Sequence, residues 1–122
     1  MKVNLRSPQD FQKVYRSGKR YHANSLTAFV LINDFSQHRL GVTVSRKALG
    51  NAVQRNRGKR VLREAFRLSG PLLTTLAHTY DWVLNAKSGL LQMSTPQAMA
   101  ELESILKSVK AREAEERRLQ LT

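Results

Sequence analysis

Arg55, Asn56, Arg57, Lys59, Arg60, Arg63 and Arg67 crowd one short stretch in which Glu64 is the single acid. Their chemistry is the gripping of anions: Arg holds a phosphate bidentately through its planar fork, Lys as a point charge. At 100° per residue, Asn56, Lys59, Arg60, Arg63 and Arg67 span roughly a third of a helix's circumference. Val61, Ala65 and Leu68 take the opposite side, widened by Leu62 and Phe66, with Gly58 also on it. Gly58 costs about 1 kcal/mol of helix propensity and would permit close approach to a strand. Arg55 and Arg57 flank the cationic row. Such a row can follow a nucleic-acid backbone. The helix start, with Asn51 as cap, adds a positive dipole end and free N–H groups beside Ser45, Arg46 and Lys47. Asn56 is the uncharged member; it either reaches a base edge or sugar hydroxyl, or orients a neighbouring arginine.

Groups for covalent chemistry are not assembled. His22, His38 and His78 lack metal-ligand spacing. Asp10, Asp34 and Glu64 fall on a cap, a loop and a helix, with no clustered pair for two-metal hydrolysis. Gly50-Asn51 before a helix is not a phosphate loop. No catalytic or metal-ligating residue is therefore assigned.

The charge distribution supports the anionic partner. The chain carries a net +12. Residues 39–67 hold nine Lys or Arg against one Glu, residues 1–38 six against two, and residues 68–122 are balanced. Solubility does not call for this asymmetry; a phosphate-facing surface does. At 122 residues the chain makes one domain with a modest core. It has no Cys, so disulfides and thiolate metal sites are excluded. Residues 1–11 lack the apolar run of a signal peptide. The longest apolar stretch, 26–32, is too short to cross a bilayer. A cytoplasmic location with no membrane contact is expected.

These residues need elements to hold them. Ser7-Pro8 starts a helix with Phe11, Val14 and Tyr15 on one face, and Gly18 stops it. A short strand at 20–23 is weakly signalled. Residues 25–32 alternate, with Leu26, Ala28, Val30 and Ile32 on one side and Thr27, Phe29 and Leu31 on the other. After a polar loop at 33–38, residues 39–45 alternate again. The two strands read as an antiparallel hairpin with one covered face. Residues 46–50 form a loop, and the basic helix runs to about Ser69, where Gly70-Pro71 ends it. Residues 80–86 form a further strand with Trp82 in the core. Thr95-Pro96 opens a last helix with Ala98, Leu102, Ile105, Leu106 and Val109 on one stripe. Beyond Lys110 lies either a solvated helical extension or a frayed tail, giving divisions at 1–110 and 111–122. The order is αββαβα, or αβββαβα with the short strand: an α+β domain of helices on a sheet.

Three segments carry a family resemblance. They are Gly41-Val42-Thr43-Val44-Ser45-Arg46-Lys47, Ala52-Val53-Gln54-Arg55-Asn56-Arg57-Gly58-Lys59-Arg60, and Arg63-Glu64-Ala65-Phe66-Arg67. Together they resemble the signature of the bacterial ribonuclease P protein subunit, the Arg-Asn-Arg core with its following Lys-Arg being the most specific part. Asp10-Phe11-Gln12-Lys13-Val14-Tyr15 with Gly18 is similar to that family's opening helix, and 80–87 to its last strand, so the resemblance covers about residues 5–110. Gly58 departs from the aliphatic residue usual there, and Tyr15 stands where Phe is common.

The resemblance implies a small basic partner of a catalytic RNA, in a holoenzyme that removes 5′ leaders from precursor tRNA. Arg46, Lys47, Asn51, Arg55, Asn56, Arg57, Lys59, Arg60, Arg63 and Arg67 would meet the catalytic RNA. Phe11, Tyr15 and Phe29 match positions lining a cleft for the single-stranded leader, though Phe11 also reads as core. Mg²⁺ would be bound mainly by the RNA, and no protein partner is required. The implied fold is αβββαβα with a left-handed β-α-β crossover through the basic helix, against the usual rule. A structural RNA-binding protein, such as a ribosomal one, would share the charge row without an aromatic cleft. A protein-only metal-dependent nuclease is the second rival.

Overall fold

The computed structural model describes residues 3–45, 47, 50–88, 90 and 93–121. Its elements run β1 (Val3–Asn4), α1 (Pro8–Ser17), β2 (Lys19–His22), β3 (Leu26–Ile32), β4 (Arg39–Thr43), α2 (Ala52–Leu68), α3 (Gly70–Leu73), β5 (Tyr80–Ala86) and α4 (Thr95–Gln120). The α+β class and the αβββαβα sequence of main elements are as expected. The two-residue β1 and the single turn α3 were not foreseen.

The expected β3–β4 hairpin does not form. The five strands lie in the order β1-β4-β5-β3-β2, so β5 separates the two. It pairs antiparallel with β3 along seven residues and parallel with β4 along five. Alternation in β3 and β4 reports which face is buried but not which neighbour lies beside it. β5 is the strand suited to the middle, because six of its seven residues are buried. The 33–38 loop spans the start of β5. Asn33 is its brace, donating to Asp81 at 2.9 Å and accepting from the Thr79 hydroxyl at 2.8 Å.

The expectation of one covered face also needs correcting, since helices pack on both. On one face Leu26, Ala28, Val30, Leu40, Trp82 and Leu84 meet Val61, Leu62 and Ala65 of α2 and Leu102, Ile105 and Leu106 of α4. On the other, α1 lays Val14 against Val83 and Leu5. A methyl added at Gly41 would sit 2.5 Å from the Phe11 ring, so that missing side chain is what lets α1 lie close.

Leu40 sets the hand of the β4-α2-β5 connection. Its side chain points into the core under α2, and its carbonyl accepts from the Leu5 N–H at the β1 side. For an L-residue on a strand drawn upward, side chain toward the viewer, the backbone N–H and C=O point right. β1 is therefore to the right of β4 and β5 to its left. The chain passes leftward in front of the sheet through α2: a left-handed crossover, against the general rule.

Helix α4 runs without a break past residue 110 to Gln120. Glu113, only 7% exposed, accepts from the Ala77 and His78 N–H groups at 2.9 and 3.2 Å and from the Tyr80 hydroxyl at 2.5 Å. These bonds pin the distal part of α4 to the approach of β5.

Candidate nucleic-acid interface

Helix α2 begins with a reciprocal cap. Asn51 accepts from the Gln54 N–H at 2.9 Å, and the Gln54 side chain accepts from the Asn51 N–H at 3.3 Å. Gly50, at φ +75°, makes the turn into it. The side-chain oxygen of Asn51 is thus committed to the helix start. Gly58, Val61, Leu62 and Ala65 are buried against the sheet and α4, which rotates the opposite side outward.

On that outward side Asn56, Arg60, Arg63 and Arg67 are exposed, and Lys59 and Arg57 are half-buried beside them. Arg55 donates to the Gly50 carbonyl at 2.7 Å, bracing the turn. Arg67 is held by Glu64 through bonds of 3.1 and 2.5 Å, which raise its pKa. The row is therefore graded: exposed Arg60 and Arg63 face solvent, while Arg55 and Arg67 toward its ends share their bonding with the protein. Lys47 is exposed before the helix, and Arg46 lies outside the described residues. Val53, 78% exposed, continues the row's line toward the helix start.

The aromatic residues assemble on the other face of the sheet, beside α1. Tyr15 meets Phe29 edge to face, ring centres 4.8 Å apart. Tyr15 is 39% exposed and Phe29 half-buried, so both retain accessible ring surface. Phe11 packs over Gly41 against the small α1 core. The Arg20 guanidinium lies over the Phe29 ring, 5.2 Å from its centre, a cation–π contact absent from the sequence reading. Strand register places Arg20 opposite Phe29, and this pairing was the missing signal.

Past the end of α1 the same face turns polar. Register aligns Thr43 with Asn85, Asn85 with Thr27 and Thr27 with His22 across four strands. The Tyr15 hydroxyl donates to Asn85 Oδ1 at 3.0 Å, and the Thr43 hydroxyl donates to the same oxygen. Aromatic ring, amide and hydroxyl are thus one connected group.

At the opposite end of α1, Asp81 receives two bonds from Arg39, at 2.7 and 2.6 Å, and Asp10 lies 3.8 Å from the same guanidinium. The bonds to Asp81 raise the Arg39 pKa against the opposing effect of burial. Sequence inspection missed this pair, because β4 and β5 become neighbours only through the crossover. His38 is a structural residue. Its Nδ1 accepts from the Tyr80 N–H at 3.0 Å and Trp82 Nε1 at 3.1 Å, and Nε2 donates to the Leu73 carbonyl at 3.3 Å. Burial lowers its pKa. Among the described residues no group of three His, Asp or Glu is placed to hold a metal ion, and no helix is long and apolar enough to cross a membrane.

Comparison with known proteins places this architecture. A family model described as Ribonuclease P matches residues 1–110. The ribonuclease P protein component of Natranaerobius thermophilus is 39% identical over 85 residues, 70% of each chain. That of Caldanaerobacter subterraneus subsp. tengcongensis is 33% identical over 115 residues, covering 94% of this chain and 96% of the relative. The solved ribonuclease P protein of Staphylococcus aureus superposes with a TM-score of 0.76 at 31% identity, covering 90% of this chain and 97% of its own.

Proposed function

The chain belongs to the ribonuclease P protein family, and on that premise we propose that it is the protein subunit of an RNA-based endoribonuclease that frees tRNA 5′ ends. In this reading the outward row of α2 docks on the catalytic RNA. The Tyr15–Phe29 surface beside α1 holds the single-stranded leader of precursor tRNA. The observation that carries the proposal is the separation of two binding chemistries onto opposite faces of one sheet. A protein that only coated RNA would need the cationic face alone.

The chain's part is to bind and orient. Arg60 and Arg63 supply N–H forks for phosphate oxygens, and the helix dipole adds attraction at the row's start. Tyr15 and Phe29 offer ring surface to unpaired bases, worth about 1–3 kcal/mol per stacked base. The bond-breaking step belongs to the RNA and its Mg²⁺. Asp10 in α1 and Asp81 beside it are tied to Arg39, so neither is assigned a metal.

Reconstitution tests this directly. Purified protein with Mg²⁺ should leave precursor tRNA intact, and adding protein to the catalytic RNA should restore cleavage at Mg²⁺ concentrations where the RNA alone is slow. Cleavage at the leader junction by protein alone overturns the proposal.

A further inference from the structure

β5 is the central strand, and on its α1 face it presents Asp81, Val83 and Asn85 in alternation. Asp81 is neutralised by Arg39, and Val83 is fully covered by α1. Asn85 has neither explanation. Asn is disfavoured in strands, and a half-buried position on a central strand is a costly place for a bare amide. Its two hydroxyl partners do not complete its bonding. They occupy Oδ1 from two sides, Tyr15 at 3.0 Å and Thr43 from the neighbouring strand. That arrangement fixes the amide plane and turns the Nδ2 donors away from the hydroxyls. Among the described residues none accepts a hydrogen bond from them.

We infer that Asn85 reads one base of the leader, donating from Nδ2 to an acceptor on the edge of the base that stacks against Tyr15. This inference rests on the leader assignment above and adds a sequence preference to it. Stacking alone is indifferent to base identity, because every base has a π-face. A fixed N–H donor beside the stacking surface is not indifferent. A base that turns an acceptor toward it gains a hydrogen bond, and one that turns an N–H toward it leaves both donors unmet. Thr43 and the Tyr15 hydroxyl are positioning groups: they touch the amide, not the base. The donor's orientation depends on both.

The test uses the reconstituted holoenzyme and precursor tRNAs in which each leader nucleotide is replaced in turn by all four bases, with Kd as the readout. The wild type should show a spread of about 3- to 10-fold among bases at one leader position, the size expected of a single hydrogen bond. Asn85→Leu should flatten that spread to within about twofold. Tyr15→Phe keeps the ring but frees the amide, so it should narrow the spread while precursor is still preferred over mature tRNA. This surface variant keeps the idea testable if Asn85→Leu folds poorly. No spread at any position in the wild type, or a spread untouched by both variants, overturns the inference. Tyr15→Ala separates it from the reading it rests on. If that change leaves the advantage of precursor over mature tRNA intact, the leader assignment itself is wrong. If the advantage falls but Asn85→Leu leaves the spread unchanged, only the role of Asn85 is lost.

Discussion

The outward face of α2 and the exposed floor beside α1 are built on opposite plans. The α2 row is redundant: several cations on a helix held by a reciprocal cap and a buried stripe, with Asn56 as the one neutral member. No single contact is decisive there, and the attraction reaches as far as salt allows. The α1 floor is sparse. Tyr15 is placed by α1, and Phe29, Arg20 and Asn85 by strand register, and the reach of each ends at contact distance. Under the proposed function, the difference teaches how one small sheet would separate affinity from discrimination by giving each its own face.

Salt and charge removal should break the comparison most visibly. With about five phosphates neutralised, log affinity for the catalytic RNA falls against log salt with a slope of about −3.5 to −4.5. From 50 to 200 mM salt that amounts to a loss of roughly two orders of magnitude. Combining Arg60→Ala with Arg63→Ala should shrink the slope by about 1.4–1.8 in filter binding. A flat salt response in the wild type would remove the phosphate-following role of α2.

A smaller effect is expected on the other face. Phe29→Ala should weaken leader-bearing precursor by about 1–3 kcal/mol in Kd and leave mature tRNA unchanged. Equal losses for both RNAs contradict the division of labour.

His38 tests the frame common to both faces. Its Nδ1 must stay unprotonated to accept from Tyr80 and Trp82, and burial lowers its pKa. Its contribution to stability is complete above the unfolded value near 6.5 and is lost as pH falls from there toward the depressed folded value. Urea midpoints for the wild type should fall in acid more steeply than for His38→Gln between pH 7 and 5.

The smallest change comes from Glu64→Gln. Releasing the Arg67 fork should raise affinity for the catalytic RNA by less than about threefold, a modest gain typical of exposed pairs. For the same reason Arg67→Ala should cost less than Arg63→Ala, both read from Kd at one salt concentration.

Local features were legible because they are written in neighbouring residues. The amphipathic split of α2, its Asn51 cap, the alternation of β3 and the buried Trp82 each need only a few positions to be read. What stayed hidden depends on which strands become neighbours. β5 enters between β3 and β4 from about forty residues away, and no periodicity in either strand announces it. The Arg39–Asp81 pair, the Arg20–Phe29 contact and the Asn85 group all follow from that arrangement or from register. The bonds at Glu113 were invisible for a related reason: their donors lie on the approach to β5, far from Glu113 in sequence.

The place of β5 also imposes an order on biogenesis. The strand at the middle of the sheet is the last one synthesised, and until residue 86 has left the ribosome β3 and β4 have no shared neighbour. The strongly basic segment of α2 therefore emerges before the floor it packs on is finished. The β2–β3 hairpin can pair early, but β4 has no place beside it until β5 arrives. The contacts that join β4 to the rest of the sheet link residues far apart in sequence, and the cationic helix is secured only when the domain closes around its final strand.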